Sequence, residues 1–399
     1  MQAIVLHGKN DLRFDPEYPT PTPKAGEVLL RLTYSSICQT DIEMWQHGMF
    51  GDRGARVLGH EAAGVVEELG EGVNVPGIEV GTRVAVENVR TCGQCFFCRK
   101  GTSQLCENGR NFGFSDDGGL AEYGVWPAEL VIPLPDNMPN EEAPLAEPTS
   151  VAVHAVENAN VTVGETAAVV GCGVVGLCTL QVLKAAGLKV VAIDPREQSL
   201  KIAHELGADA VLNPTTEDIA SLLPQIADAI RNGRDLSPFL REGAGGRVDG
   251  SSEPSHSMTS ATNEIAAGPK SSDDARAKTD FDNYIGPDVV IETAGAPSTG
   301  VDAANWVRRG GRAVIVGFSH QSQDDINFGR LHQGEKTILA SSATSTGGYQ
   351  KAVNLIASGA VNVKPLISAL VPLDKGIEDG FERMLRPEKD VYRILVGNG

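Results

Sequence analysis

The first 150 positions carry short apolar runs separated by turn residues. Val28-Leu-Leu-Arg-Leu, Ala63-Gly-Val-Val and Arg83-Val-Ala-Val are each four or five residues long, with Gly and Pro recurring between them. Runs of that length and spacing predict an antiparallel β domain. From about Val151 the texture changes. Ala167-Ala-Val-Val-Gly leads into a helical stretch that ends near Lys184-Ala-Ala-Gly187. The strand pattern Lys189-Val-Val-Ala-Ile-Asp194 follows, then a helical pattern through Leu200-Lys-Ile-Ala-His-Glu-Leu before Gly207. Strand, helix, strand in about thirty residues is a βαβ unit of a parallel sheet. Further strands are predicted at Asp288-Val-Val-Ile-Glu292 and Arg312-Ala-Val-Ile-Val316-Gly317.

Ile219, Leu222, Leu223, Ile226 and Ile230 have helical spacing, with Pro224 expected to kink or divide that helix. Residues 231–280 contain only six strongly apolar side chains in fifty. Such a composition cannot bury enough surface to offset the entropy of ordering it, and it predicts a mobile surface insertion.

Charge narrows the choice of partner. The 399 residues carry 52 Asp and Glu against 34 Lys and Arg, a formal net charge of −18. The insertion holds eight acids and seven bases, so the acidity resides elsewhere. An acidic chain is poorly suited to nonspecific nucleic-acid binding, which needs basic surface to replace counterions, or to anionic membranes. No apolar run is long enough to span a bilayer, and Met1-Gln-Ala-Ile-Val-Leu lacks the features of a secretory signal. Clustered thiols without an evenly spread disulfide pattern fit a reducing compartment, so a cytoplasmic protein is expected.

Four of the seven cysteines fall within fifteen positions, as Cys92-Gly-Gln-Cys95-Phe-Phe-Cys98 followed by Cys106. That spacing places four thiolates around one ion. Tetrahedral sulfur coordination suits Zn²⁺, and a closed shell leaves no position for substrate, which makes the site structural. An iron–sulfur cluster is the rival. Its ferredoxin-type run needs a short last gap followed by proline, whereas Glu107 follows Cys106 here.

Gly171-Cys-Gly173-Val174-Val175-Gly176 fits Gly-x-Gly-x-x-Gly, directly after an apolar strand and at the start of a helix. Gly171 permits a tight turn, Gly173 lets a pyrophosphate approach the backbone, and Gly176 permits close helix–strand packing. The helix N-terminus supplies N–H donors, and Asp194 at the end of the next strand can accept from ribose hydroxyls. A carboxylate there favours NAD over NADP, and Arg196 softens that preference. Val174, Val175 and, on a later strand, Val316 complete the candidate cofactor contacts. Cys172 and Cys178 read as packing residues.

Cys38-Gln-Thr-Asp41, Gly59-His60-Glu61-Ala-Ala-Gly64, Asp117-Gly-Gly-Leu-Ala-Glu-Tyr123 and Ala146-Glu147-Pro148, with the cysteine loop and the glycine motif, occur in the order found in the zinc-dependent medium-chain alcohol dehydrogenases. The chain resembles that family over nearly its whole length, outside the 231–280 insertion. The resemblance implies an α/β fold: a GroES-like antiparallel β domain from residues 1–150, completed by 343–399, and a Rossmann domain of doubly wound parallel sheet at 151–342. It makes Cys38 and His60 ligands of a catalytic zinc, with Glu61 and Glu147 as the carboxylate candidates. Glu147 matches the glutamate of polyol-type members, while the glutamate after the histidine binds directly or exchanges with water. Two zinc ions per chain follow, one in each motif. Thr40 matches the hydroxyl that carries the alcohol proton away.

Two positions depart from the family pattern. Gln39 stands where glycine is usual, and Glu43 replaces the histidine that often ends the proton relay; glutamate is common there in sugar dehydrogenases. Trp45, Phe50 and Phe112 are candidates to line substrate space, with core packing as the alternative. The implied activity is NAD-linked oxidation of a secondary alcohol of a polyol, diol or sugar, in a homodimer or homotetramer. A threonine or aldose dehydrogenase of the same family, or a non-catalytic nucleotide-binding redox sensor, are the competing readings.

Overall fold

The computed structural model describes residues 1–51, 53–239, 286–319, 326–386 and 391–397. Most of the 231–280 segment, and with it the expected insertion, lies outside the described residues.

The central strand of the N-terminal half is Glu27–Ser36, most of whose side chains are buried on both faces. It pairs antiparallel with Glu61–Leu69, with Tyr123–Pro127 and with the C-terminal strand Arg393–Gly397. Arg83–Val86 and Val131–Pro133 extend one side of this sheet. On the other side Ile367–Val371 adds to Arg393–Gly397 in parallel, so the expected antiparallel domain contains one parallel pairing. Ala3–Gly8, Asp11–Asp15 and Arg56–Val57 form a second, three-stranded sheet. A core of Ile4, Leu30, Leu58, Leu120, Trp126 and Phe381 lies in this domain, so residues from both ends of the chain share one interior.

The second domain is a six-stranded, wholly parallel sheet. Its spatial order is Ala210–Leu212, Lys189–Ile193, Thr166–Val170, Val289–Glu292, Arg312–Ile315, Thr337–Ala340. The order reverses between Thr166–Val170 and Val289–Glu292. A doubly wound sheet binds its ligand at that reversal, beyond the carboxyl ends of the strands.

The helix Ala146–Asn158 runs across the expected domain boundary at residue 150 and is buried over most of its length. Pro148 lies in its first turn, where the missing N–H would have no helical partner in any case. Together with Gly348–Ala357 it packs into a core that also holds Ala63 and Ala85 of the β domain and Val169 and Leu177 of the parallel domain. Ile219–Arg231 is a single helix despite Pro224. The carbonyl that loses its donor belongs to Ala220, which is exposed, so water can satisfy it. No helix among the described residues is long and apolar enough to cross a membrane.

Candidate metal and cofactor site

Cys38 follows the central strand and caps the helix Gln39–His47. Its backbone N–H donates to Asp41 Oδ2 at 2.8 Å, a reciprocal cap that fixes the thiol at the helix mouth. Asp41 is fully buried, and its other oxygen lies 3.4 Å from His60 Nδ1. One carboxylate thus caps the helix after Cys38 and faces the imidazole of His60. His60 enters the cluster because Gly59 turns through φ +93°; a Cβ at Gly59 would lie 2.6 Å from Ser35 Oγ. The imidazole packs against Phe114, with ring centroids 4.6 Å apart.

Glu61 begins the next strand, directly opposite Ser36, whose hydroxyl donates to its carboxylate. Arg393, from the C-terminal strand, closes on the same carboxylate with bonds of 2.9 Å from Nε and 2.8 Å from Nη2. Burial opposes ionisation of Glu61 most strongly, but Arg393, His60 and Ser36 together outweigh it and hold the carboxyl below its usual range. Arg393 Nη2 also lies 3.4 Å from Cys38 Sγ.

Donor atoms of Cys38, His60 and Glu61 lie within 4.8 Å of one another. Glu147, in the first turn of Ala146–Asn158, lines the same cavity but falls outside that tight group. Burial pushes its carboxyl up to about 7, and the nearby Glu61 adds to the rise. Three acids (Asp41, Glu61 and Glu147) and a thiol therefore gather around one permanent cation, Arg393. A divalent cation fits such a donor set, since it would offset the excess negative charge and exploit the mixed N, O and S donors.

The four loop cysteines form a second cluster, with all four Sγ atoms within 4.8 Å of one another. Sulfur separations are 3.5 Å for Cys95–Cys98, 3.8 Å for Cys95–Cys106 and 4.0 Å for Cys92–Cys98. A tetrahedral Zn²⁺ with bonds of about 2.3 Å needs edges of about 3.8 Å. An iron–sulfur cluster would set its own atoms between the thiolates and hold them farther apart. Zinc fits.

On the opposite domain the three glycines of the nucleotide loop have distinct reasons. Gly171 takes φ +92°, and a Cβ there would lie 2.8 Å from Ala294. A Cβ at Gly176 would overlap the Gly171 carbonyl oxygen and sit 2.7 Å from Thr293 Oγ1. Gly173, at the helix N-cap, has open space where its Cβ would be. The turn and the packing therefore need Gly171 and Gly176, while the room beside Gly173 fits a pyrophosphate.

Asp194 ends its strand as expected, but both oxygens are engaged. Oδ2 accepts from the Cys172 N–H at 2.7 Å, and Oδ1 accepts from Arg196 N at 2.8 Å and Nε at 3.0 Å. The Arg196 guanidinium also lies 5.9 Å from the Tyr392 ring centre. Cys172 and Cys178 are buried, as packing residues should be.

One cavity of about 570 Å³ joins the two domains. Cys38, Thr40, His60, Glu61 and Glu147 face it from one side, and Val175 and Val316 from the other. Thr40 Oγ1 lies 3.7 Å from Cys38 Sγ. Val174 is buried in the core and does not line the cavity. Glu43 and Gln39 lie outside the cavity lining and bond each other at 3.1 Å. Among the three expected aromatic residues, Phe50 lines the cavity and stacks on Phe114. Trp45 packs on Phe381 and Phe112 on Trp126. The reading from sequence missed Phe114, Asp41 as the orienting acid, and Arg393. The three-residue spacing from Cys38 to Asp41 is a capping signal that could have exposed the second; nothing local marks Arg393.

An acid-rich metal cluster facing a nucleotide loop across one cleft is the layout of a two-domain, zinc-dependent oxidoreductase. The profile of the alcohol dehydrogenase GroES-like domain matches residues 24–136, and that of the zinc-binding dehydrogenase domain matches 174–237 and 261–358. D-xylulose reductase A of Aspergillus oryzae is 31% identical over 404 residues, covering 99% of this chain and 96% of its own. L-threonine 3-dehydrogenase of Pyrococcus furiosus is 39% identical over 224 residues, 55% of this chain and 63% of its own. A zinc-binding dehydrogenase structure from Sinorhizobium meliloti 1021, bound to NADP, superposes with TM-score 0.79 at 25% identity, covering 99% of this chain and 98% of its own. The chain belongs to the zinc-dependent medium-chain polyol dehydrogenase family.

Proposed function

We propose that this chain oxidises a secondary alcohol of a polyol, diol or sugar with NAD, and reduces the corresponding ketone in reverse. The observation that carries the reading is the single cleft shared by Cys38, Thr40, His60 and Glu147 on one wall and Val175 and Val316 on the other. The full-length likeness to a D-xylulose reductase supports a polyol–ketose pair.

Cys38, His60 and Glu147 would hold the catalytic zinc. Glu147 is preferred to Glu61 because Arg393 and Ser36 already engage Glu61, whereas burial leaves Glu147 without a comparable partner. When bound, zinc supplies Lewis-acid polarisation of the alcohol oxygen and the dinucleotide supplies the hydride acceptor. Asp41 keeps His60 oriented, and Arg393 keeps Glu61 compensated. Thr40 accepts the alcohol proton at Oγ1 and passes it toward solvent. The cleft walls align the carbinol carbon and exclude water. Cys92, Cys95, Cys98 and Cys106 would hold a second, structural zinc.

NAD is the proposed cofactor, with a weaker preference than a free aspartate would give, since Arg196 already neutralises Asp194. A homodimer or homotetramer is the proposed assembly. Thr337–Ala340 is an edge strand with Ile338 exposed, a ready site for a second copy.

The test is NADH formation, followed by absorbance, on a panel of polyols, L-threonine and aldoses. Turnover of a polyol is the expected result. Turnover of threonine or aldoses alone would move the assignment to those branches, and none at all with both zinc sites filled would favour a binding role.

A further inference from the structure

Asn88 follows the strand Arg83–Val86 of the β domain by two residues, is buried, and lines the catalytic cavity. Its carbonyl accepts from Phe112 N at 2.9 Å. Its backbone N–H donates to the hydroxyl of Tyr349 at 3.4 Å, and that hydroxyl donates to Asn88 Oδ1 at 3.1 Å. Tyr349 comes from the helix Gly348–Ala357, 261 positions away, and is itself buried.

This pair of bonds fixes which way the amide points. The tyrosine hydroxyl accepts from that backbone N–H and donates its single proton to Oδ1. Nδ2 is therefore turned away from Tyr349. It has no protein partner among the described residues and is not one of the sealed orphan atoms, so it opens on the cavity. The result is a neutral donor, held rigidly, on the wall that also carries Cys38, His60 and Glu147.

We propose that Asn88 reads a second hydroxyl of the substrate by donating to it from Nδ2, with Tyr349 as the positioning residue that sets its orientation. The inference rests on the polyol reading and adds the group that would separate a polyol from a simple alcohol. A buried donor without a partner disfavours an analogue that lacks the hydroxyl, because the donor is then left unpaired.

The experiment compares kcat/KM for 2,3-butanediol and 2-butanol, which differ by one hydroxyl, in wild type, Asn88→Leu and Tyr349→Phe. Zinc content and melting temperature are recorded for each. Wild type is expected to prefer the diol, and Asn88→Leu to reduce that preference about tenfold or more. Tyr349→Phe is expected to reduce it partially through a higher KM for the diol, a substrate-selective effect that a merely structural role would not produce. An undiminished diol preference in Asn88→Leu with both zinc ions retained overturns the inference alone. If Asn88→Leu fails to fold, an undiminished preference in Tyr349→Phe overturns it instead. A wild type that oxidises neither xylitol nor 2,3-butanediol removes the polyol reading, and this inference with it.

Discussion

Asp41 and His60 face each other inside the β domain, with Oδ1 and Nδ1 3.4 Å apart and both atoms sealed from solvent. The other Asp41 oxygen caps the helix that begins after Cys38. Carboxylates behind metal-binding histidines set the tautomer and ring orientation, and removing them typically costs about 10–100-fold in metal affinity or activity. Asp41→Asn should therefore lower kcat/KM by about that factor. It should also weaken zinc retention at the catalytic site while the cysteine loop keeps its ion. Metal analysis after mild chelation checks this, and an unchanged stoichiometry would count against an orienting role.

Removing Arg393 leaves Glu61 buried without its partner. Breaking one side of a buried ion pair costs about 3–5 kcal/mol. Arg393→Leu should lose stability on that scale, and adding Glu61→Gln should recover much of it. Chemical unfolding of the two single variants and the double measures the coupling. Glu147→Gln should instead reduce bound zinc by one per chain with a smaller change in stability.

The nucleotide glycines should fail in different ways. Gly176→Ala forces a methyl onto the Gly171 carbonyl, so the fold itself should suffer and the melting temperature fall. Gly173→Ala meets only open space, so the fold should hold while dinucleotide affinity drops. Thermal melts paired with NADH fluorescence titrations separate the two outcomes.

Much of this site could be read from the chain because its parts are locally encoded. Cys38 to Asp41, Gly59 to Glu61, the cysteine loop and the glycine turn are each contiguous, and each geometry is set by neighbours within a few positions. Arg393 is different. It meets Glu61 across 332 positions, through strand order alone, and no periodicity announces such a pairing. Pro224 does not divide its helix, since the bond it removes leaves only the carbonyl of exposed Ala220, which water can satisfy. Asp194 and Arg196 stand two positions apart, close enough in sequence to suggest that one tempers the other, but their direct bond is set by the turn between them.

Cofactor choice follows from that last contact. Wild type should have the higher kcat/KM with NAD. Asp194→Ala should move the ratio toward NADP by removing the like charge and releasing Arg196 to meet a 2′-phosphate. Arg196→Ala should move it the other way. Initial rates with both cofactors at saturating alcohol decide it, and a wild type that prefers NADP would show that the carboxylate does not face the ribose.

Cys98→Ser should remove the loop zinc and lower the melting temperature, because metal binding and loop folding are one event. The catalytic zinc should remain in molecules that stay folded. Retention of both ions with no change in melting would refute a structural site.

The strand that carries Arg393 also sets when the enzyme can first exist. Every candidate zinc ligand is synthesised within the first 147 residues, yet the sheet beneath them stays incomplete until Arg393–Gly397 pairs with Glu27–Ser36. The parallel domain, with its nearer contacts, can form while the chain is still emerging. Until that strand is made and docks, Glu61 has no guanidinium to face and the β domain keeps an open edge. A chain without Arg393–Gly397 would hold a nucleotide fold without a working metal centre, so this one strand acts as a quality gate on the whole enzyme.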